Sequence, residues 1–448
     1  MASENGLGDI REAQLFEMLQ KRFGEDCVYR SPKVDKKGGE KELCDVMILA
    51  LPYAVVFQLK WMKQTAADLT GEKAEVKRER LIRRMQEAAH QFTEFNSSLT
   101  QSKPTQLPRV WAKGNGTYAL SLGWIKYIVP VVLIDFEDDN YDNPKLRYTD
   151  IPPVITDVPS QIKNWGKVHS FLMRDFKRIV EQLFTVGDLL IWLNEREKLL
   201  AMESRSFVGY NELTLFAIYL VKNPIWKKMM ASDGVWIDDD DLFERVLKDQ
   251  EAAFAKRKDL FGGYDFVNKL ESMLADSMEN MCRSMADQNL VRDYLSYAGR
   301  VKCLAALEKW NMAYKFIEHL ERYAPCGSAA STKVSYAFCS HYPLSRTVIC
   351  FGVADFDEGN ANAVCQHAFL RTLSYVALRG KQSEADEIMI ILVRHDRPSV
   401  GCVLYTIDPS DYAKVLTGSE LEKSRSTFSE NEYKLSEWDV VRQAISNH

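Results

Sequence analysis

The chain has 448 residues and a formal net charge of -5. With 46% hydrophobic and 27% charged residues, it carries enough apolar material for sizeable cores, which excludes a wholly disordered chain. No apolar run approaches the roughly 18 residues of a membrane span. The acidic balance removes overall basicity as an argument for nucleic acid but leaves room for a local basic face.

At about 150 residues per domain, the length suggests two to four domains. The start, Met1-Ala2-Ser3-Glu4, lacks a basic-then-apolar signal segment. The nine cysteines are odd in number and show no C-x-x-C spacing. They read as reduced thiols of a cytoplasmic protein without a membrane partner.

The first period is helical. In Asp9–Phe23, Ile10, Ala13, Leu15, Leu19 and Phe23 recur at spacings of three and four, and Gly24 ends the run. A strand is expected at Cys27–Arg30, then a turn or hairpin tip through Pro32 and Lys36–Gly39. Leu43–Leu51 and Ala54–Trp61 read as a hairpin about Pro52-Tyr53. Glu72–Phe95 reads as a helix with an apolar stripe of Val76, Leu81, Met85, Ala88, Phe92 and Phe95. Its other faces mix lysines and arginines with glutamates. A polar loop, Asn96–Pro108, leads to a buried strand at Trp124–Phe136. The order is α-β-β-β-α-β, with a helical crossover only before the last strand.

Acidic, proline-rich Asp138–Pro159 and small, polar Pro325–Ser331 mark boundaries. The expected organisation is an α/β core flanked by helices over 1–150, a mostly helical domain over 160–325 and a C-terminal α/β module over 330–448. Helical patterns run from Val168 to about Tyr323, and Thr185 with Asp188 suits a helix start before Leu189–Leu200. Asp238–Asp241 reads as another helix N-terminus. The module carries expected strands at Thr347–Ala354, Glu387–His395 and Gly401–Ile407, with a helix at Ala361–Gly380.

The chemistry-bearing segment is Glu12 to Lys60. Gln58 and Lys60 are two apart on one strand and share a face, which is costly in so apolar a run unless that face opens on a cleft. If the hairpin pairs, Asp45 starts the neighbouring strand close to Lys60. Asp45, the Gln58 side-chain oxygen and the Leu59 carbonyl can hold one Mg²⁺, a hard cation that prefers oxygen. Such an ion polarises a phosphate and acidifies a bound water. Lys60 can orient that water or stabilise developing charge. Glu12 can approach from the first helix, directly or through water, or help to hold a second ion. Glu17 is an alternative carboxylate, about 140° round the helix. Each residue alone also has an ordinary reading: a turn aspartate, an edge-strand lysine, a first-turn glutamate.

The pattern Glu–Asp–Gln-x-Lys, carried by "KELCDVMIL" and "VVFQLKW" on α-β-β-β-α-β, resembles the PD-(D/E)XK nuclease superfamily in its Q-x-K variant. It is similar to Mrr-type and resolvase-like nucleases over roughly residues 10–136. The resemblance implies a nuclease core with a mixed sheet flanked by helices. It implies a Mg²⁺-dependent endonuclease, with Mn²⁺ able to substitute, that cuts DNA in bacterial anti-phage defence, and catalytic roles for Glu12, Asp45, Gln58 and Lys60. RNA is the alternative substrate. An inactive fold serving as a nucleic-acid- or protein-binding scaffold is the alternative role. The sequence departs from the superfamily in having Gln58 at the usual acidic position and Cys44 where a proline usually precedes the aspartate. Phosphate contacts are expected from Arg30, Ser31 and Lys63, and from Lys77, Arg80 and Arg84 on the basic helix. A homo-oligomer is expected, since two sites cut two strands together, along with a regulatory protein partner.

Other chemistry is weaker. Cys326, Cys339 and His341 lack a fourth zinc ligand, Cys365 with His395 is an unsupported nucleophile pair, and there is no GxxxxGK[ST] loop. Gly114-Asn115-Gly116 is a turn signal.

Overall fold

The computed structural model describes residues 4–36, 39–62, 74–109, 116–136, 154–155, 167–200, 206–208, 212–221, 234–236, 241–249, 290–305, 334–340, 346–354, 359–378, 385–394 and 400–416. The chain is mixed α/β and gathers into two compact units, Met1–Ala253 and Phe254–His448.

The first unit begins with helix α1 (Glu4–Phe23), whose Leu15, Leu19 and Phe23 are buried while Ile10, on the expected apolar face, is exposed. Gly24 follows with φ +103° and donates its N–H to the Gln20 carbonyl at 2.9 Å. That left-handed helix end suits a residue without Cβ.

Strands β1 (Val28–Arg30), β4 (Val46–Ala50) and β5 (Tyr53–Met62) form an antiparallel meander. Helix α2 (Ala74–Thr100) then crosses over to β8 (Tyr127–Phe136), which pairs in parallel with β5 along its whole length. Leu81, Met85, Ala88, Phe92 and Phe95 of α2 are buried as the stripe predicts, whereas Val76 is exposed. On the opposite face of β5, Phe57 meets Phe176 of α3 (Met173–Gln182), with ring centroids 5.5 Å apart.

The segment expected to be a polar loop is otherwise built. Helix α2 runs on to Thr100, and β6 (Pro104–Pro108) pairs with β7 (Thr117–Ser121). With β2 (Lys33–Lys36) and β3 (Gly39–Glu42) these make a second sheet in the order β3-β2-β6-β7. Strict alternation buries Thr105, Leu107, Tyr118 and Leu120. The Tyr118 hydroxyl donates to the Tyr29 hydroxyl at 3.1 Å, tying this sheet to β1.

The main sheet continues past the boundary expected at Asp138–Pro159. Strand β10 (Val168–Leu172) pairs in parallel with β8 and antiparallel with β9 (Val154–Ile155), giving the order β1-β4-β5-β8-β10-β9. Val168–Leu172 falls where a helical pattern is expected and is a strand instead. Its five consecutive buried residues suit a strand covered on both faces.

Helix α4 (Val186–Leu200) opens with reciprocal capping: the Asp188 N–H donates to Thr185 Oγ1, and the Thr185 N–H donates to Asp188 Oδ2, both at 3.0 Å. Arg196 of α4 is fully buried. It forms a bidentate pair with Glu212 of α5 (Glu212–Val221), both bonds 2.8 Å, and donates to the Ser170 carbonyl at 3.0 Å. The short strands β11 (Ser206–Val208) and β12 (Gly234–Trp236) pair in parallel, and residues 242–249 are helical. Asp238–Asp240 lie outside the described residues.

The second unit holds the sheet β13-β14-β15-β16: Val334–Ser340, Thr347–Ala354, Glu387–Arg394 and Val400–Thr406. Here β14 and β15 are parallel and the outer pairs antiparallel. Helix α6 (Leu290–Lys302) reaches this sheet through Arg300, which donates to Glu387 Oε2 at 2.6 Å. Helix α7 (Ala361–Leu378) packs Cys365, Phe369 and Leu373 into the core, and α8 (Asp411–Leu416) adds Tyr412 and Val415. Among the described residues no helix is long and apolar enough to cross a membrane. Among the described residues Cys27, Cys44, Cys303, Cys350, Cys365 and Cys402 form no disulfide.

Candidate active site

The site lies where β4 stops pairing with β5. The last ladder pair is Val46 with Phe57, and the Asp45 N–H donates to the Phe57 carbonyl at 3.2 Å. Beyond that point β5 continues with one edge free of β4. The Asp45 side chain turns onto this edge, and its Oδ2 accepts the Leu59 N–H at 2.5 Å. A strand residue's N–H and C=O point to the same side. The Leu59 carbonyl therefore faces the edge that Asp45 occupies.

Gln58 and Lys60 project from the other face of β5, toward α2. Lys60 Nζ donates to Gln91 Oε1 of α2 at 2.8 Å. A cleft of about 590 Å³ brings Asp45, Gln58 and Lys60 together with Lys41, Glu42, Glu87, His90, Gln91 and Thr93. Gln58 is only 5% exposed.

Glu12 stands beside this cleft and is otherwise engaged. Its Oε1 accepts from Arg30 Nε and from Ser31 Oγ, both at 2.7 Å. Arg30 and Ser31, expected at phosphate, are thus held by Glu12. Ser31 has φ +44° and donates its N–H to the Asp45 carbonyl at 2.8 Å, joining the two acidic residues through one backbone position. Helix α1 is further anchored by Arg11, whose Nε lies 3.0 Å from the buried Asp135 carboxylate of β8. Glu17, the alternative carboxylate, is exposed.

Electrostatics follow from this crowding. Burial, opposed by the Leu59 N–H and by Lys60, raises the Asp45 carboxyl to about 6. Burial and the charges of Asp45 and Glu12 push Glu42 to about 7. Burial lowers the Lys60 amine, and Arg84 of α2 pushes the same way, against the carboxylates of Asp45, Glu87 and Glu42.

Arg80 and Arg84 are exposed on α2. Lys63 and the side chain of Lys77 lie outside the described residues. So do Cys326, His341, His395 and the Gly114-Asn115 turn. The Cys365 thiol is raised by burial, the opposite of what activates a nucleophile.

Glu42, Glu87, His90 and Gln91 escaped the sequence reading. Glu42 sits inside the quoted "KELCD" run, three residues before Asp45, but its approach to Asp45 depends on the β2–β3 hairpin folding back. Gln91 borders Phe92 on the apolar stripe of α2, and only the crossover shows that it meets Lys60.

Asp45, the Gln58 side-chain oxygen and the Leu59 carbonyl are all oxygen donors, the kind a hard divalent cation takes, and Asp45 and Gln58 line one cleft. Among the described residues no three His, Cys, Asp or Glu side chains group closely enough to cage an ion. An ion here would lean on neutral oxygens and water, as Mg²⁺ does. The chain matches no protein-family model, no curated protein and no solved structure.

Proposed function

We propose that the first unit is a Mg²⁺-dependent phosphodiesterase, an endonuclease of the PD-(D/E)XK type acting on DNA, with Mn²⁺ able to replace Mg²⁺. The observation that carries this reading is the meeting of Asp45, Gln58 and Lys60 in one open cleft, from two strands and in the order the motif expects. The crossover helix α2 supports it by carrying the exposed Arg80 and Arg84, of which Arg84 is near enough to Lys60 to push its amine down; both can neutralise phosphates.

Asp45, the Gln58 side-chain oxygen and the Leu59 carbonyl would hold the ion, which would supply polarisation of the scissile phosphate and acidification of a water. Asp45 is fixed by the Leu59 N–H, so its free oxygen is aimed before anything binds. Lys60, steadied by Gln91, donates toward the phosphate oxygen on which negative charge grows. Glu12 holds Arg30 and Ser31 in place, and Ser31 donates its N–H to the Asp45 carbonyl. Activity in anti-phage defence and assembly as a homo-oligomer under a protein regulator belong to the same proposal.

The test is a cleavage panel on the purified full chain: supercoiled plasmid, linear duplex and single-stranded RNA, each with Mg²⁺, Mn²⁺ or EDTA. Cutting of DNA with either metal and none in EDTA is expected. Preference for RNA would make the protein a ribonuclease. A second reading, a nuclease fold retained as a binding scaffold, is favoured by one observation: Gln58 brings no charge to the ion. Nucleic-acid binding without cutting under every condition would select it.

A further inference from the structure

We infer that Glu12 is a positioning residue, which holds Asp45 in place through the left-handed turn at Ser31 and takes no part in binding the ion. What that position serves rests on the nuclease reading above. The coupling itself rests on the contacts of Glu12, Ser31 and Asp45.

Three hydrogen bonds fix Asp45. Its N–H donates to the Phe57 carbonyl at 3.2 Å, its Oδ2 accepts the Leu59 N–H at 2.5 Å, and its carbonyl accepts the Ser31 N–H at 2.8 Å. The first two partners belong to β5. The third is the residue just past β1, and its bond depends on a conformation that side chains resist. Ser31 has φ +44°, in the left-handed region that residues with a Cβ rarely adopt. Pro32 follows it, and a proline narrows the choices of the residue before it.

Glu12 fastens this turn. Its Oε1 accepts from Ser31 Oγ and from Arg30 Nε, both at 2.7 Å, and Arg30 Nη2 donates to the Asp9 carbonyl of α1 at 3.1 Å. Ser31 is thus gripped from two sides, by its hydroxyl on Glu12 and by its N–H on Asp45. The charge of Glu12 is met by Arg30 where it stands. A carboxylate released to hold an ion would break both of its bonds, let Ser31 relax toward an ordinary conformation and slacken the bond to the Asp45 carbonyl. Glu12 therefore serves the site best by staying where it is, and Asp45 keeps its aim because α1 holds the turn.

The test pairs two readouts on the full chain: hydrogen exchange at the residue-31 amide in EDTA, and single-turnover plasmid cleavage in Mg²⁺. The chains are the wild type, Glu12→Gln, Glu12→Ala, and Glu12→Ala combined with Ser31→Gly. Circular dichroism melts check that each folds. Glu12→Ala is expected to speed exchange at residue 31 and to slow cleavage about 10- to 100-fold, the range for partners that orient a metal ligand. Glu12→Gln keeps an oxygen for the Ser31 hydroxyl and should lose less than about tenfold. Glycine takes a left-handed φ freely, so adding Ser31→Gly to Glu12→Ala should recover at least about fivefold in both readouts, the scale of the strain it relieves. A carboxylate that touched the ion would admit no such rescue. Unchanged exchange in Glu12→Ala, a double variant no better than Glu12→Ala, or equal slowing by Glu12→Gln and Glu12→Ala would overturn the positioning role. So would exchange restored in the double variant without any return of cleavage, since Glu12 would then act directly. The nuclease reading fails separately: a wild type that cuts nothing removes it, and exchange at residue 31 still decides whether Glu12 holds the turn.

Discussion

Asp45 Oδ2 accepts the backbone N–H of Leu59 at 2.5 Å, a contact between residues 14 apart in the chain. It is made at the one place where β5 outruns its partner β4. The carboxylate thereby takes the position that the next ladder residue would have filled. The same bond orients the acid, partly offsets its burial and sets it beside the Leu59 carbonyl.

The raised acids predict how stability varies with pH. Asp45 has a folded value of about 6 against an ordinary 3.8, and Glu42 about 7 against 4.5. The folded state therefore holds these protons more tightly than the unfolded chain. Their stabilisation is full below about pH 4 and is lost as pH rises through 6 and 7. In EDTA the Tm of the first unit should fall between pH 5 and pH 8, and Asp45→Asn should flatten that fall. Mg²⁺ would bind deprotonated Asp45, so at pH 8 it should restore Tm and at pH 5 it should do little. A Tm that rises with pH in EDTA would refute the assignment.

Gln91 holds Lys60 by a single 2.8 Å hydrogen bond. Gln91→Leu is expected to slow cleavage about three- to tenfold, the worth of one such bond, without moving Tm by more than a degree or two. Rates measured under single-turnover conditions check this. A loss as large as that of Lys60→Ala would show that Gln91 acts on the substrate directly.

Arg196 is fully buried, and its bidentate partner Glu212 is 3% exposed. Arg196→Met leaves that carboxylate uncompensated and should cost about 3–5 kcal/mol. The double variant Arg196→Met with Glu212→Leu should recover much of the loss, because it removes both charges. Urea denaturation of the three chains measures the difference. Equal destabilisation of the single and double variants would mean that packing of Arg196 over the Phe171 ring dominates.

Thr185→Ala removes one half of the reciprocal cap on α4 and is expected to cost about 1 kcal/mol. Thr185→Ser should retain most of it. The same denaturation curves report both.

Much of this architecture is legible in the chain because the signals are local. The 3.6-residue stripe from Leu81 to Phe95 sets the crossover helix, Thr185 with Asp188 announces α4, and the period of two puts Gln58 and Lys60 on one face. The misses need tertiary contact. Pro104–Pro108 is short, polar and bounded by prolines, and becomes a strand because it pairs with Thr117–Ser121 along its length and meets Val34 at Thr105. Ile10 and Val76 fit the helical period but sit near helix starts, beyond the reach of the sheet. The order Asp45, Gln58, Lys60 could be read from spacing. The engagement of Glu12 by Arg30 and Ser31 could not, because it depends on the left-handed turn at Ser31.

The most direct test of the central claim is cleavage of supercoiled plasmid in Mg²⁺ by the wild type beside Lys60→Ala and Asp45→Ala. The account predicts nicked and linear products with the wild type, none in EDTA, and at least about a hundredfold slower cutting by each variant, the scale of removing one group that stabilises developing charge. Undiminished cutting by both folded variants would contradict it.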